Sequence, residues 1–426
     1  MSQLHFDTRQ IHAGQRPDPT TGAPVLPIYQ TSAYVFDSAE QAANRFKLAD
    51  PGPIYTRLTN PTNEVVENRI ADLEGGIAGL IVASGAGALI LTLTTIGRAG
   101  DNIVASPSLY GGSKAALTNN LPRLGIETRF VDDPRDPDAW KAAADERTVA
   151  FFGETIPNPQ CDIFDIEPIA KAAHEVGVPL IIDNTVATPY LTRPIEWGAD
   201  IVIHSATKYL GGHGTSVLGA IVDGGTFDWS ADPERFREFS TPDASYHGLV
   251  YSDLGNQAFI VKARAQGLRD FGWAASPFNS FLVDLGIETL SLRVQRHCDN
   301  ALAVAKWLEA HDRVRSVNYA GLESSPYYSL QQKYAPGGAG GVLAFDIDAD
   351  KAACERFVDA LELHYNLANI GDVRSLVAHP ASTTHSQCTP EDLAACGISE
   401  STIRLSVGLE HVDDIIADLA RGFNAI

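Results

Sequence analysis

Six short apolar runs, most of them separated by stretches of helical spacing, constrain the fold of this chain more than any other feature. They are GLIVAS (79–84), NIVAS (102–106), ETRFV (127–131), VAFFG (149–153), PLIID (179–183) and ADIVI (199–203), and Asp165–Val176 is one of the helical spacers. Strands that do not alternate apolar with polar residues are buried on both faces. The pattern therefore predicts a mainly parallel sheet covered by helices, an α/β architecture. A helical stretch at 62–74 leads into it. Residues 1–60 carry few periodic segments and several turn formers, Pro17-Asp18-Pro19 and Asp50-Pro51-Gly52-Pro53 among them, and read as an extended arm. After about residue 270 the texture changes. Residues 277–311 read as helix, 314–319, 341–348 and 402–407 as strands, 351–362 as helix, and a closing helix starts at Val412. The expected organisation is an arm (1–60), a sheet domain (61–269) and a smaller α+β domain (270–426), in keeping with about two to three domains for this length.

Thirty-two basic against 53 acidic residues give a formal charge of −21. That balance opposes attraction to nucleic acid or to an anionic membrane and leaves room only for a locally positive pocket. No apolar run reaches 18 residues, and the polar N-terminus MSQLHFDTRQIHAG has no signal core, so the expected location is the cytoplasm. The five cysteines, Cys161, Cys298, Cys354, Cys388 and Cys396, are scattered without a CxxC pair and read as reduced thiols.

In open parallel sheets ligands sit at the carboxyl ends of the strands. Those ends carry Ser84-Gly85-Ala86-Gly87, Ser106 to Tyr110, Glu154 to Asn158, Asp183-Asn184-Thr185 and Ser205-Ala206-Thr207-Lys208. Each has an ordinary reading: glycine-rich turns connect, Asp caps helices, and a lysine is most often a solvated surface group. Their chemistry nevertheless converges. Ser84, Gly85 and Ala86 at a helix start offer amides to a phosphate, and Ser205 and Thr207 add hydroxyls. Lys208, made less basic by burial, can form an imine with an aldehyde. Asp183 can keep a heteroaromatic nitrogen protonated, and Tyr110 can stack on the ring. Pyridoxal 5′-phosphate (PLP) needs this set. No P-loop or dinucleotide-binding glycine motif competes with it. His379 and His385 in HPASTTHSQ lack the supporting pattern of a metal site, so no metal is expected.

HSATKYLGGHGT closely resembles the PLP-lysine segment of the Cys/Met-metabolism enzymes, which have the fold-type I, aspartate-aminotransferase-like architecture. The likeness extends through YTRLTNPTN (55–63), SLYGGS (108–113), IIDNT (181–185), SLVAHPASTTH (375–385) and IRLSVGLE (403–410). QIHAG (10–14), LPIYQTSAYVF (26–36), FFGETIPNP (151–159), PDASYHGLVY (242–251) and LANIGDVRSL (367–376) are similar to segments of the O-acetylhomoserine sulfhydrylase branch. The resemblance implies that Lys208 is the Schiff-base lysine, Asp183 the pyridinium partner and Tyr110 the stacking ring. Gly85, Ala86, Ser205 and Thr207 would hold the phosphate, with Ser84 and Thr185 beside them and Asn158 near the cofactor. Tyr55 and Arg57 would reach that phosphate from a neighbouring subunit, making the protein an obligate dimer assembled into a homotetramer. Arg404 and Ser375 would bind the substrate α-carboxylate. Ala86 departs from the bulkier Met or Gln common there, which affects packing and not the backbone amide.

The reaction so implied is γ-replacement: O-acetyl-L-homoserine and sulfide give L-homocysteine and acetate. Lys208 would move the protons, with Tyr110 or Tyr55 assisting. Cystathionine γ-synthase-like and O-succinylhomoserine-using enzymes share the apparatus, so acyl preference and sulfur donor stay open. Methionine γ-lyase-like enzymes usually place a cysteine after the Tyr-Gly, where this chain has Gly112. Intact Lys208, Asp183 and Arg404 favour an enzyme over a non-catalytic binding module.

Overall fold

The computed structural model describes residues 4–47, 49–383 and 397–426. All six apolar runs form strands: β1 (Ala78–Val82), β2 (Asn102–Ala105), β3 (Glu127–Phe130), β4 (Thr148–Glu154), β5 (Leu180–Asp183) and β6 (Ile201–Ser205). Among the described residues they make a seven-stranded sheet with β7 (Gly219–Asp223), in the order β1-β7-β6-β5-β4-β2-β3. From β3 to β6 the neighbours are parallel. β7 is antiparallel to both β6 and β1, a strand the six runs did not include. It is reached from β6 through turns and not a crossover helix, so it returns antiparallel.

Alternate residues of one strand enter opposite cores. Phe151, Ile182 and Val202 pack with the long helix of the C-terminal half, and Phe152, Ile181 and Ile203 pack with the 229–268 segment. Both faces are buried, as unalternated strands require. The helix Pro61–Glu74 starts on an Asn60 side-chain cap with Pro61 in its first turn, and Gly85–Ile96 starts on a Ser84 cap.

The second sheet, also mixed, has the order β10-β11-β12-β9-β8, with β8 (Val314–Asn318), β9 (Val342–Ile347), β10 (Tyr365–Asn366), β11 (Leu376–Ala378) and β12 (Thr402–Ser406). β10 and β11 are too short for a periodic signal. The stretch expected as one helix at 277–311 is two, Pro277–Ile287 and Leu290–Glu309. Their junction lets Arg293 donate to the carbonyls of Tyr209, Leu210 and Gly286, fixing the backbone just after Lys208. The N-terminal arm is not wholly extended. It contains the helices Phe6–His12 and Ala39–Phe46, and Gln10 of the first exchanges two hydrogen bonds with Ser291, each 3.0 Å.

Candidate active site

The carboxyl ends of the central strands open into a cavity of about 400 Å³. Ser84, Gly85, Ala86, Tyr110, Asn158, Asp183, Thr185, Ser205, Thr207, Lys208 and Arg404 all line it, so the structure brings together most of the residues singled out in the sequence. Lys208 follows β6, and its Nζ donates to Asn369 Oδ1 at 2.5 Å. Burial, with Arg404 nearby, lowers its pKa and favours the neutral amine.

Asp183 ends β5 and accepts hydrogen bonds from the Thr185 backbone N–H (2.9 Å) and hydroxyl (2.5 Å) on one carboxylate oxygen. Burial raises its pKa, and those hydrogen bonds oppose the rise. Its register neighbour Glu154 accepts the Tyr110 N–H at 2.9 Å. Burial first, and the charge of Asp183 second, push Glu154 well above the usual carboxyl range. Glu154 thereby fixes the backbone at Tyr110, where the helix Gly111–Ala115 starts.

The phosphate-sized end is built by close approach. A Cβ on Gly85 would lie 2.6 Å from Ser205 Cβ, so the start of the Gly85–Ile96 helix sits directly against the end of β6. Ser84 caps this helix through the Gly87 N–H at 3.0 Å. Thr207 is pinned by a reciprocal pair with Leu218, accepting from its N–H at 3.0 Å and donating to its carbonyl at 3.2 Å. Tyr110, 53% exposed, stands at the mouth.

Arg404, in β12, enters from the opposite side, 5% exposed, and donates from Nη2 to the Asn369 carbonyl at 2.9 Å. Burial lowers its pKa, yet a guanidinium starts too basic to lose its charge. Arg404 Nε, Asn158 Oδ1 and Glu154 Oε1 are buried and have no hydrogen-bond partner among the described residues. Such groups in a cavity await a polar ligand.

Three expected residues lie elsewhere. Ser375 does not line the cavity; it donates to Glu410 Oε2 at 2.9 Å and accepts from the Gly408 N–H at 2.9 Å, clasping β11 to the turn after β12. Asn369 occupies the position between Lys208 and Arg404 instead. It sits on a loop within LANIGDVRSL, where no periodicity marks it. Tyr55 and Arg57 also lie outside their own chain's cavity: Arg57 Nη1 donates to the Arg269 carbonyl, and its guanidinium lies 5.5 Å from the centre of the Tyr55 ring, which is exposed. The ring nitrogens of His379 are taken up by Ser382 and the Glu400 carbonyl, each at 2.8 Å. His385, Cys388 and Cys396 lie outside the described residues; the thiols of Cys161, Cys298 and Cys354 are free and buried.

The model of the Cys/Met metabolism PLP-dependent enzymes matches residues 7–424. The chain belongs to this family. Its cofactor is PLP, and the chain is an enzyme. The chain is 53% identical to an O-acetyl-L-homoserine sulfhydrylase of Corynebacterium glutamicum over 427 residues, covering 100% of this chain and 98% of the relative. It is 50% identical to O-acetyl-L-homoserine sulfhydrylase 1 of Thermus thermophilus (98% and 99% covered) and 49% identical to a homocysteine synthase of Schizosaccharomyces pombe (98% and 97%). A crystal structure from Campylobacter jejuni, described as an O-acetylhomoserine (thiol)-lyase with N′-pyridoxyl-lysine-5′-monophosphate, superposes with a TM-score of 0.96. That chain is 40% identical, and the match covers 99% of this chain and 100% of that one.

The residues present fit the family's cofactor. The tight Gly85–Ser205 approach leaves backbone amides and hydroxyls around one end of the cavity for a phosphate. A buried carboxyl stands at Asp183 for a ring nitrogen, a lysine with lowered basicity lies between, and Nε of Arg404 remains an unpartnered donor for a carboxylate. No helix among the described residues is long and apolar enough to cross a membrane.

Proposed function

We propose that this enzyme catalyses γ-replacement, converting O-acetyl-L-homoserine and sulfide to L-homocysteine and acetate. The observation that carries the reading is the link Lys208–Asn369–Arg404, which sets a weakly basic amine and a buried, partly unpartnered guanidinium on the same small residue. Its support from relatives is the sulfhydrylases and homocysteine synthase named above at 49–53% identity over nearly the full chain.

PLP, attached through Lys208, supplies an electron sink for negative charge developing on the bound amino acid. Ser84, Gly85, Ala86, Ser205 and Thr207 hold its phosphate, and Asp183 holds a proton on its ring nitrogen, with Thr185 orienting that carboxylate. Tyr110, tethered by Glu154, would stack on the ring, and Asn158 would lie near the cofactor. Arg404 binds the substrate α-carboxylate in a charge-assisted pair, and Asn369 fixes the arginine relative to the amine. Lys208, made less basic by burial, takes the Cα proton, gives it up within the site before taking one from Cβ, and both carbons regain a proton once sulfide has replaced acetate. Acetate leaves from Cγ, and sulfide adds there in its place, aided by Tyr110 or Tyr55.

Tyr55 and Arg57, turned away from their own cavity, reach the phosphate of a two-fold mate, so the working unit is at least a dimer and assembles as a tetramer. Residues 1–60 form the arm of that assembly, 61–269 the cofactor domain and 270–426 the C-terminal domain. With a charge of −21 the enzyme takes small molecules and not nucleic acid or membrane, and works in the cytoplasm.

The test offers purified enzyme O-acetyl-, O-succinyl- or O-phospho-homoserine, each with sulfide or cysteine. Homocysteine and acetate in equal amounts from the acetyl ester and sulfide are expected. Cystathionine as main product, preference for the succinyl ester, or release of ammonia and a 2-oxo acid would overturn the assignment.

A further inference from the structure

The loop carrying Tyr55 and Arg57 is held by one helical segment. From Ala258 to Lys262 the chain is α-helical; it widens to a π-helix at Ala263–Leu268 and closes at Arg269–Phe271. π geometry is rare and concentrates where a helix must re-aim side chains for function. Here the π segment carries Arg264, whose Nη1 donates to the Leu58 carbonyl at 2.8 Å and whose Nη2 donates to Glu67 Oε2 at 2.7 Å. The other carboxylate oxygen of Glu67 accepts the Ile81 N–H of β1 at 3.1 Å, so Leu58 is tied through two side chains to the central sheet. Directly after the π segment the direction reverses: the Arg269 carbonyl accepts from Arg57. Gly272, at φ 80°, ends the helix, and a Cβ on it would lie 4.0 Å from Arg57 Cδ. Loop and helix thus clasp each other twice through two adjacent loop residues. Neither Arg264 nor Glu67 lines the cavity of its own chain.

We propose that Arg264 is a positioning residue for the two-fold mate's active site: by joining the Leu58 carbonyl to Glu67 it holds Tyr55 and Arg57 in the conformation that reaches the mate's cofactor phosphate. This inference rests on the shared-site reading of Tyr55 and Arg57 given above. The planar guanidinium reaches the carbonyl and the carboxylate from two different nitrogens, a geometry that lysine reproduces only in part. The Glu67 carboxylate is buried, and deleting its cationic partner leaves it uncompensated, which loosens the loop.

The experiment mixes chains bearing single substitutions under conditions that exchange subunits, isolates the hybrids, and measures turnover and cofactor retention. Arg264→Met homo-oligomers are expected to hold PLP about tenfold more weakly, and Arg264→Lys to recover part of that loss. In a Lys208→Ala/Arg264→Met hybrid, one site combines an intact Lys208 with an intact loop from across the interface. Its activity should rise to about half that of the unaltered enzyme. An Arg57→Ala/Arg264→Met hybrid should stay at the mean of its parents, because each site then receives a damaged loop. If Lys208→Ala/Arg57→Ala hybrids recover activity and Lys208→Ala/Arg264→Met hybrids do not, Arg264 acts within its own chain and the inference falls while the shared site stands. Recovery in the Arg57→Ala/Arg264→Met hybrid also overturns it. No recovery in verified Lys208→Ala/Arg57→Ala hybrids removes the shared site itself, and the inference with it. Should Arg264→Met chains fail to assemble, Arg264→Lys is expected to give the same pattern at smaller amplitude, and its absence there counts equally against the proposal.

Discussion

On the wall of the cavity formed by the large sheet, Ser84, Asp183, Ser205 and Lys208 stand at or within a few residues of the end of a strand. On the opposite wall Arg404 lies in the middle of β12, and Asn369 sits on the loop between β10 and β11. The first wall is a product of local order, because parallel strands deliver their ends to one edge wherever they occur. The second is a product of docking: its residues reach the cavity only because the smaller sheet packs beside the larger. The first wall suits a permanently held cofactor, and the second suits a substrate that comes and goes.

Substitutions that separate the two walls test this division. The largest effect is expected for Lys208→Ala, which removes the proposed attachment point and proton carrier together. Turnover should fall by at least about 10³-fold with loss of the cofactor's visible absorbance. Steady-state kinetics and spectra of the purified variant check it. Arg404→Leu should leave cofactor content near normal and weaken amino-acid binding by about 2–5 kcal/mol, read by substrate titration. Loss of PLP with substrate affinity retained would assign Arg404 to the other wall.

The same variant has a pH signature. Arg404 helps hold the Lys208 pKa below that of an ordinary lysine by opposing a second positive charge. Removing it raises that pKa, so the neutral amine appears only at higher pH. The midpoint for PLP capture by cofactor-free Arg404→Leu should therefore move upward in pH, as followed by absorbance after mixing. Asn369→Ala breaks the link between the walls and should cost about tenfold in kcat/KM. Ser375→Ala should leave KM within about twofold while lowering stability by about 1–3 kcal/mol, because it strips partners from Glu410 and Gly408. A large KM effect there, with stability unchanged, would return Ser375 to the substrate wall.

The unequal legibility of the two walls has the same origin. The runs ending at Ser84, Asp183 and Ser205 announce their strands by composition, and the strand-end rule then finds the cofactor wall without any knowledge of packing. β7 escaped this count because it follows turns and not a helix. The break at Glu288 escaped it because both halves of 277–309 keep helical spacing. The family resemblance assigns Ser375 to the substrate α-carboxylate, yet its hydroxyl donates to Glu410. Asn369, six residues earlier in the same segment, carries no local signal, since its hydrogen bonds exist only where Lys208 and Arg404 meet.

The central claim is that Lys208 is the fixed point between the two walls. Borohydride reduction of the PLP-loaded enzyme followed by peptide mapping tests it most directly. A pyridoxyl group is expected on the peptide containing Lys208, at one per chain; its recovery on Lys114, Lys262 or any other lysine, with Lys208 unmodified, would contradict this.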